Sequence, residues 1–231
     1  MELDKLLKNL TLRAKGNRWF RYFTVFCRVM LAFGFIPSGI VKISGERFTA
    51  LPSNHPLGHY FDALHLTGYY YTFLGIGQLI IAVLLIIPRT AFLGALMYFP
   101  VILNIGVLAY ATRFEGTRII TFMMLANLYL LLWDYSRLKI LLPFKQPKEI
   151  TTVKPFSNKV AFAFFGGVIL ILASVVIINQ HLYNIRPGNS LLECTNGCGG
   201  NKDCLNFCDC IYNQGKPLDS CLAQYNAATG N

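Results

Sequence analysis

Residues 161–180 read AFAFFGGVILILASVVIINQ, and residues 70–88 read YYTFLGIGQLIIAVLLIIP. Neither stretch contains a charged side chain. About 20 apolar residues in an α-helix cross the hydrocarbon core of a bilayer. A helix suits such a segment because its backbone groups hydrogen-bond one another where no water reaches. These two stretches decide the fold class, an all-α integral membrane protein. Working outward, three further segments qualify: Val25–Ser44, Ala91–Tyr110 and Ile119–Tyr135. The first of these carries Arg28 and Lys42 near its ends, so either its apolar length is short or its ends are buried in protein. Across 231 residues, AVILMFWYC make up 54% and DEKR 14%. A soluble domain carries roughly 25% charged residues. Composition therefore excludes a single soluble domain, a disordered chain and a collagen-like repeat.

The chain holds 21 Lys+Arg against 11 Asp+Glu, a formal net charge of +10. A basic chain can signal nucleic acid, but here the excess has a topological source. With the N-terminus in the cytoplasm, fourteen basic residues fall on the cytoplasmic side and seven on the other. The acidic residues divide four and seven, so the whole excess lies inside. This is the positive-inside pattern, and no nucleic-acid partner is expected. Five spans then place the C-terminus outside the cytoplasm, and the expected location is a bacterial inner membrane. Six cysteines between Cys194 and Cys221 agree with that side, because an extracytoplasmic space oxidises them. A cleavable signal peptide is not expected, since the first apolar stretch is long and lacks a small-residue cleavage pattern.

The sequence divides into five parts. Residues 1–24 form a basic interfacial segment. In it Leu3, Leu6, Leu7 and Leu10 recur at helical spacing among Lys5, Lys8 and Arg13, and Trp19, Phe20, Tyr22 and Phe23 follow as an aromatic belt. Residues 25–140 hold four spans, and 141–160 form a basic cytoplasmic loop with Pro143, Pro147 and Pro155. Residues 161–183 are the fifth span, and 184–231 the cysteine-rich extracytoplasmic tail. Segment 45–68 is an external loop.

The first four spans carry RVMLAFG at 28–34, PSGIVK at 37–42, Gly45, GIGQ at 75–78, Pro88-Arg89 and NLYLLLWD at 127–134. This pattern resembles the DoxX-like membrane family over roughly residues 25–140. The resemblance implies a compact four-helix bundle in the membrane. It also implies a place beside quinone-linked or thiol-linked oxidoreductases, or among assembly factors. It supplies no catalytic residues, and the fifth span and the tail depart from the four-helix pattern.

Several residues inside the spans are polar. Pro37 frees a carbonyl within the first helix, and Ser38 and Lys42, four apart, share a face. With Glu46 they form a candidate polar pocket at the external end, open to a quinone-like headgroup. The alternative is a snorkelling Lys42 paired with Glu46 or Glu115. Gln78, Asn104 and Asn127 place one amide in each of spans two, three and four. They either line the same pocket or hold the helices together. Arg28 and Asp134 both fall at the cytoplasmic rim and form a candidate ion pair between spans one and four. His55 and His59 are four apart, a spacing that can serve a metal on a helix. Pro56 and Gly58 argue against a helix there, so no metal is expected. The loop reads instead as an amphipathic lid with Tyr60, Phe61, Tyr69 and Tyr70.

In the tail, Cys194, Cys198, Cys204, Cys208, Cys210 and Cys221 allow 15 pairings. A small polar segment has too little core to fold unaided, so three structural disulfides are expected, with Cys27 free. Helical spacing puts Cys204 and Cys208 on one face, able to meet Cys198 and Cys194, and leaves Cys210 for Cys221. Gly197, Gly199 and Gly200 weaken the case for a true helical hairpin. The competing reading takes Cys208-Asp209-Cys210 as a thiol–disulfide couple. The leading expectation is an accessory or scaffolding membrane subunit that presents its loop and tail to other membrane or envelope proteins, with the lipid bilayer around it. The alternative is a membrane component of a quinone-linked or thiol–disulfide oxidoreductase. No cofactor is evident, though a quinone would fit the polar pocket.

Overall fold

A computed structural model describes residues 2–141 and 154–230, and every regular element among them is helical. Helix α1 (Glu2–Lys15) precedes α2 (Arg18–Ile43), α3 (Pro56–His65), α4 (Tyr69–Ile86), α5 (Ala91–Ala111) and α6 (Thr117–Trp133). The short α7 (Tyr135–Leu141) leads to α8 (Asn158–His181), then α9 (Leu191–Gly197), α10 (Lys202–Tyr212) and α11 (Leu218–Thr229). Helices α2, α4, α5 and α8 are long and apolar enough to cross a membrane, and α6 is a shorter apolar helix of 17 residues. Pro143, Pro147, Lys145 and Lys148 of the basic loop lie outside the described residues.

The structure refines two local readings. The helix that carries the first span begins at Arg18, so residues 18–24 of the interfacial segment are helical and continuous with it. Asn17 ends the preceding turn, and its side-chain oxygen accepts the Trp19 amide at 2.9 Å, as a helix cap does. The second correction concerns the 45–68 segment, where Pro56 and Gly58 lie in α3 and do not prevent it. Proline suits the first helical position because that N–H has no partner in any case. The His55 side chain caps the helix by accepting the Leu57 amide. Gly58 is required by packing, since a Cβ there would sit 2.1 Å from the Pro52 carbonyl oxygen.

Contacts divide the chain into two compact units that cut across the helices. The first comprises Met1–Pro37, Gln78–Ile102 and Phe122–Val175. Here α2 runs antiparallel to α6. The Phe23 and Tyr129 rings lie 4.9 Å apart, and Gly34 packs so closely on Met123 that a Cβ would meet its methyl at 2.6 Å. Tyr98 of α5 stacks on Phe35 at 3.9 Å. From α8, Phe164 packs 4.9 Å from Phe20 and 5.5 Å from Phe23. The α1 end is fastened by a Lys15–Asp134 ion pair of 2.9 Å, and Asn17 donates to the Phe156 carbonyl at 3.0 Å.

The second unit comprises Ser38–Gly77, Leu103–Thr121 and Val176–Asn231. Its tail packs α9, α10 and α11 around Phe207, Ile211, Tyr212 and the buried cysteines. Three disulfides close it: Cys194–Cys208, Cys198–Cys204 and Cys210–Cys221. Cys27 is free and buried. The glycines expected to weaken a helical hairpin instead make its turn, with Gly199 and Gly200 at φ of 53° and 85°. Such angles cost glycine nothing. Asn201 then caps α10 by accepting the Asp203 and Cys204 amides. Cys208 and Cys210 do not couple with each other, because residues two apart on a helix point to different sides.

The Cys210–Cys221 bridge fastens α11. Its replacement by two serines should cost about 2–5 kcal/mol, the usual range for a small domain. Brief proteinase K digestion should then cut between residues 213 and 217 in the variant but not in the parent. The membrane helices should stay intact on a gel.

Candidate functional site

The second unit carries the densest polar chemistry. At the end of α2, Lys42 is only 5% exposed. Its ammonium donates to the Ser38 hydroxyl at 2.6 Å and the Ser38 carbonyl at 3.2 Å. It also lies 4.1 Å from the Phe48 ring centroid and 5.9 Å from that of Tyr71. The α4 helix can come this close because Gly75 has no Cβ; one there would sit 2.8 Å from the Lys42 Cβ. Ser38 and Lys42 thus meet as their spacing requires. Neither carboxylate proposed for Lys42 pairs with it among the described residues. Glu46 is exposed, and its backbone carbonyl accepts the Tyr71 hydroxyl at 3.0 Å. Glu115 is bonded to Arg186 at 3.1 Å.

The amides of the expected pocket behave differently from one another. Asn127 is fully buried in the first unit and donates to the Ala95 carbonyl at 3.0 Å. It therefore joins α6 to α5 through backbone, not through another amide. Gln78 is also buried there, whereas Asn104 is exposed on α5. The Arg28–Asp134 ion pair does not form. Arg28 donates to the Leu85 and Ile86 carbonyls at 2.7 and 2.6 Å, the open end of α4, and Asp134 is held by Lys15. Carbonyls at a helix end lack intrahelical donors and attract a guanidinium strongly.

Around the tail, two connections from other segments converge. From the 45–68 loop, Asn54 donates to the Tyr212 carbonyl at 2.6 Å. His55 beside it is completely buried, with Nδ1 accepting the Leu57 amide at 3.1 Å and Nε2 facing the Gly188 carbonyl without a full hydrogen bond. Tyr212 returns the contact inside the tail, where its hydroxyl donates toward the Pro187 and Gly188 carbonyls, each at 3.1 Å. From the α5–α6 turn, Arg113 donates to the Ile185 carbonyl at 3.0 Å and lies over the Tyr183 ring at 4.8 Å. Tyr183 donates to the Tyr110 carbonyl at 2.7 Å. In the loop itself Arg47 pairs with Asp62 at 2.6 Å. In the sequence Arg113 and Arg186 stand out only as basic residues among the seven on the non-cytoplasmic side, and nothing singles out Asn54, Tyr183 or Tyr212. No periodicity marks these residues.

His55 and His59 do not share a ligand position. Nδ1 of His55 caps α3, and His59 is exposed. Cys198, Cys204 and Cys208 lie close enough to hold an ion, but all three are in disulfides and offer no thiolate. Cys198 and Cys208 sulfurs of two different bridges are 3.6 Å apart. Between α10 and α11 the tail surface opens a groove of about 260 Å³ whose lining includes Asp203, Asn206, Asp209, Gln214, Gln224 and Tyr225. Hydrogen bonds from Asn213 and Gln214 hold the Asp209 carboxyl below its usual range.

The apolar helices and the disulfide-closed tail define a multi-pass helical membrane protein. An alignment of 116 residues, covering 46% of this chain and 73% of the relative, is 35% identical to the uncharacterized protein YwoB of Bacillus subtilis (strain 168), and the chain belongs to that protein's family. No family model and no solved structure matches the chain.

Burial pushes the His55 imidazole down from 6.5 to about 4. The unfolded histidine therefore binds more protons than the folded one between those values, and stability rises with pH across that window. The contribution is complete above pH 6.5 and is lost as pH falls toward 4. Hydrogen exchange at residues 54–58 and 187–190 should accelerate from pH 7 to pH 5, after correction for intrinsic rates. His55→Asn keeps a capping acceptor and does not titrate, so its corrected exchange should be flat over the same range.

Proposed function

We propose that this protein is an accessory or scaffolding subunit of a larger envelope complex. In this reading it presents the 45–68 loop and the disulfide-closed tail to partner proteins outside the cytoplasm. One observation carries the reading: the tail is stapled internally and tied to two separate loops, through Asn54 and through Arg113. A surface ordered in advance loses little conformational freedom on binding, which is how preorganisation raises affinity. The groove of amides and carboxylates on that tail suits a polar or basic partner segment. The exposed Asn104 on an otherwise apolar helix supports a neighbouring helix from another subunit, since amides in lipid seek hydrogen-bond partners. The DoxX-like pattern of the first four spans leans toward the same role, and the charge asymmetry supports an N-terminus in the cytoplasm and a bacterial inner membrane.

A second reading rests on the 3.6 Å approach of Cys198 and Cys208. If a dithiol partner reduced Cys198–Cys204, the Cys198 thiolate would be placed to attack Cys208 and release Cys194. That would make the protein a thiol–disulfide component, with a membrane quinone as the electron acceptor beyond it. Alkylation of freshly isolated membranes separates the two. The scaffold reading expects only Cys27 to be free, whereas labelling of Cys204 together with Cys198 before the exchange or Cys194 after it would replace it with the redox reading.

The scaffold itself is tested by a photo-crosslinking residue at Asn206 in the groove and another at Lys159. Asn206 should crosslink to a defined membrane-complex protein and Lys159 should not. Phosphatase fused after residue 231 should be active and the same enzyme fused at the N-terminus inactive. Activity at both ends would remove a span and overturn the orientation.

A further inference from the structure

Within the first unit, the start of α2, the end of α6 and the α4–α5 turn surround a cleft of about 390 Å³. Four cations line it, Lys15, Arg21, Arg28 and Arg137, against one carboxylate, Asp134, for a formal balance of +3. The carboxylate is already neutralised by Lys15 at 2.9 Å. Arg28 is fixed by two of its nitrogens on the Leu85 and Ile86 carbonyls, which leaves one terminal nitrogen of its guanidinium for a further acceptor. Arg21 and Arg137 are exposed, and their guanidinium groups make no hydrogen bond or ion pair among the described residues. The positive field at this place is thus held by one anchored guanidinium and two exposed ones.

The rest of the wall is apolar. Val25, Phe92, Leu130 and Trp133 line the same cleft, and the Lys15 ammonium lies 5.8 Å from the Trp133 ring centroid. The first residues of α5 also border it, where the positive end of a helix adds to the field. A free anion would have no use for apolar walls. An anionic amphiphile would use both halves. Exposed apolar side chains continue from Val25 along α2 through Phe26 and Val29, a track on which acyl chains can lie.

We propose that this cleft binds the headgroup of an anionic glycerophospholipid of the phosphatidylglycerol class. The phosphate sits against Arg21, Arg28 and Arg137, and the glycerol backbone and upper acyl chains lie on Val25 and Leu130. The site is distinct from the tail and independent of the scaffold reading. It differs from a general basic rim because Arg21, Arg28 and Arg137 line one cleft together with apolar walls.

The test uses the full chain in mild detergent and native mass spectrometry, with dioleoyl phosphatidylglycerol, dioleoyl phosphatidylcholine or glycerol 3-phosphate added. Phosphatidylglycerol should be retained roughly tenfold more tightly than phosphatidylcholine, and glycerol 3-phosphate should not be retained. Each cation near a membrane surface contributes about 1 kcal/mol toward anionic lipid. The double variant Arg21→Gln, Arg137→Gln should therefore lose about tenfold or more in phosphatidylglycerol retention while its thermal unfolding stays that of the parent. The control Lys8→Gln, Lys159→Gln removes the same charge from outside the cleft and should lose far less. Equal losses in the two double variants would reduce the effect to rim charge and overturn the site. Retention of glycerol 3-phosphate, or of phosphatidylcholine as tightly as phosphatidylglycerol, would overturn the lipid assignment.

Discussion

A backbone carbonyl in hydrocarbon has no water to satisfy it, and an unpaired one costs several kcal/mol. The polar side chains of the spans answer that constraint first. Arg28 bonds the Leu85 and Ile86 carbonyls, Lys42 the Ser38 carbonyl, Asn127 the Ala95 carbonyl and Thr24 the Phe20 carbonyl. Of these carbonyls, Leu85 and Ile86 lie in the last turn of α4 and lack an intrahelical donor, while the others lie inside their helices and gain a second donor. Lys42 and Thr24 act within α2, while Arg28 and Asn127 tie α2 to α4 and α6 to α5. The glycines complete the pattern. Gly34 and Gly75 let helices approach until a Cβ would clash, which shortens the reach that the polar groups need.

That ordering explains which parts of the architecture were legible in the sequence. Apolar length marked the spans, because the 20-residue requirement is set by the bilayer and not by partners. The helical start of α2 was not legible, because the aromatic residues 19–23 look interfacial by composition and the Asn17 cap that begins the helix is a single residue. Arg28 and Asp134 looked like a pair because opposite charges at one rim attract. Pairing by charge ignores the carbonyls of α4, which carry no letter in the sequence. Asn127 was recognisable as buried, but its partner is again a backbone oxygen. Sequence patterns name side chains and are silent on where a helix end will open beside them.

The tail was more readable, for a different reason. With no large apolar core available, cysteine spacing dominates, and helical spacing brings Cys194 and Cys198 opposite Cys208 and Cys204. The glycines misled because they were weighed as helix breakers. At 199 and 200 they stand between the two helices, where a left-handed backbone is needed. The same error affected α3, where Pro56 was judged as an interior residue although it opens the helix. In both places the residue type was read correctly and its position within the element was not.

The order of the tail then depends on two kinds of bond with different sensitivities. The disulfides inside it are covalent and indifferent to pH. Its ties to the 45–68 loop and to the α5–α6 turn are hydrogen bonds and ring contacts, among them the neutral, buried His55 facing Gly188. Protonating that histidine would bury a charge completely and turn Nδ1, which accepts the Leu57 amide, into a donor, a costly arrangement. The module can therefore keep its internal fold while its docking loosens. A tail that was a mere anchor would have no need of so many ties to two loops. A tail that holds a binding groove at a fixed angle would need them all, because the angle is set by the ties and not by the disulfides.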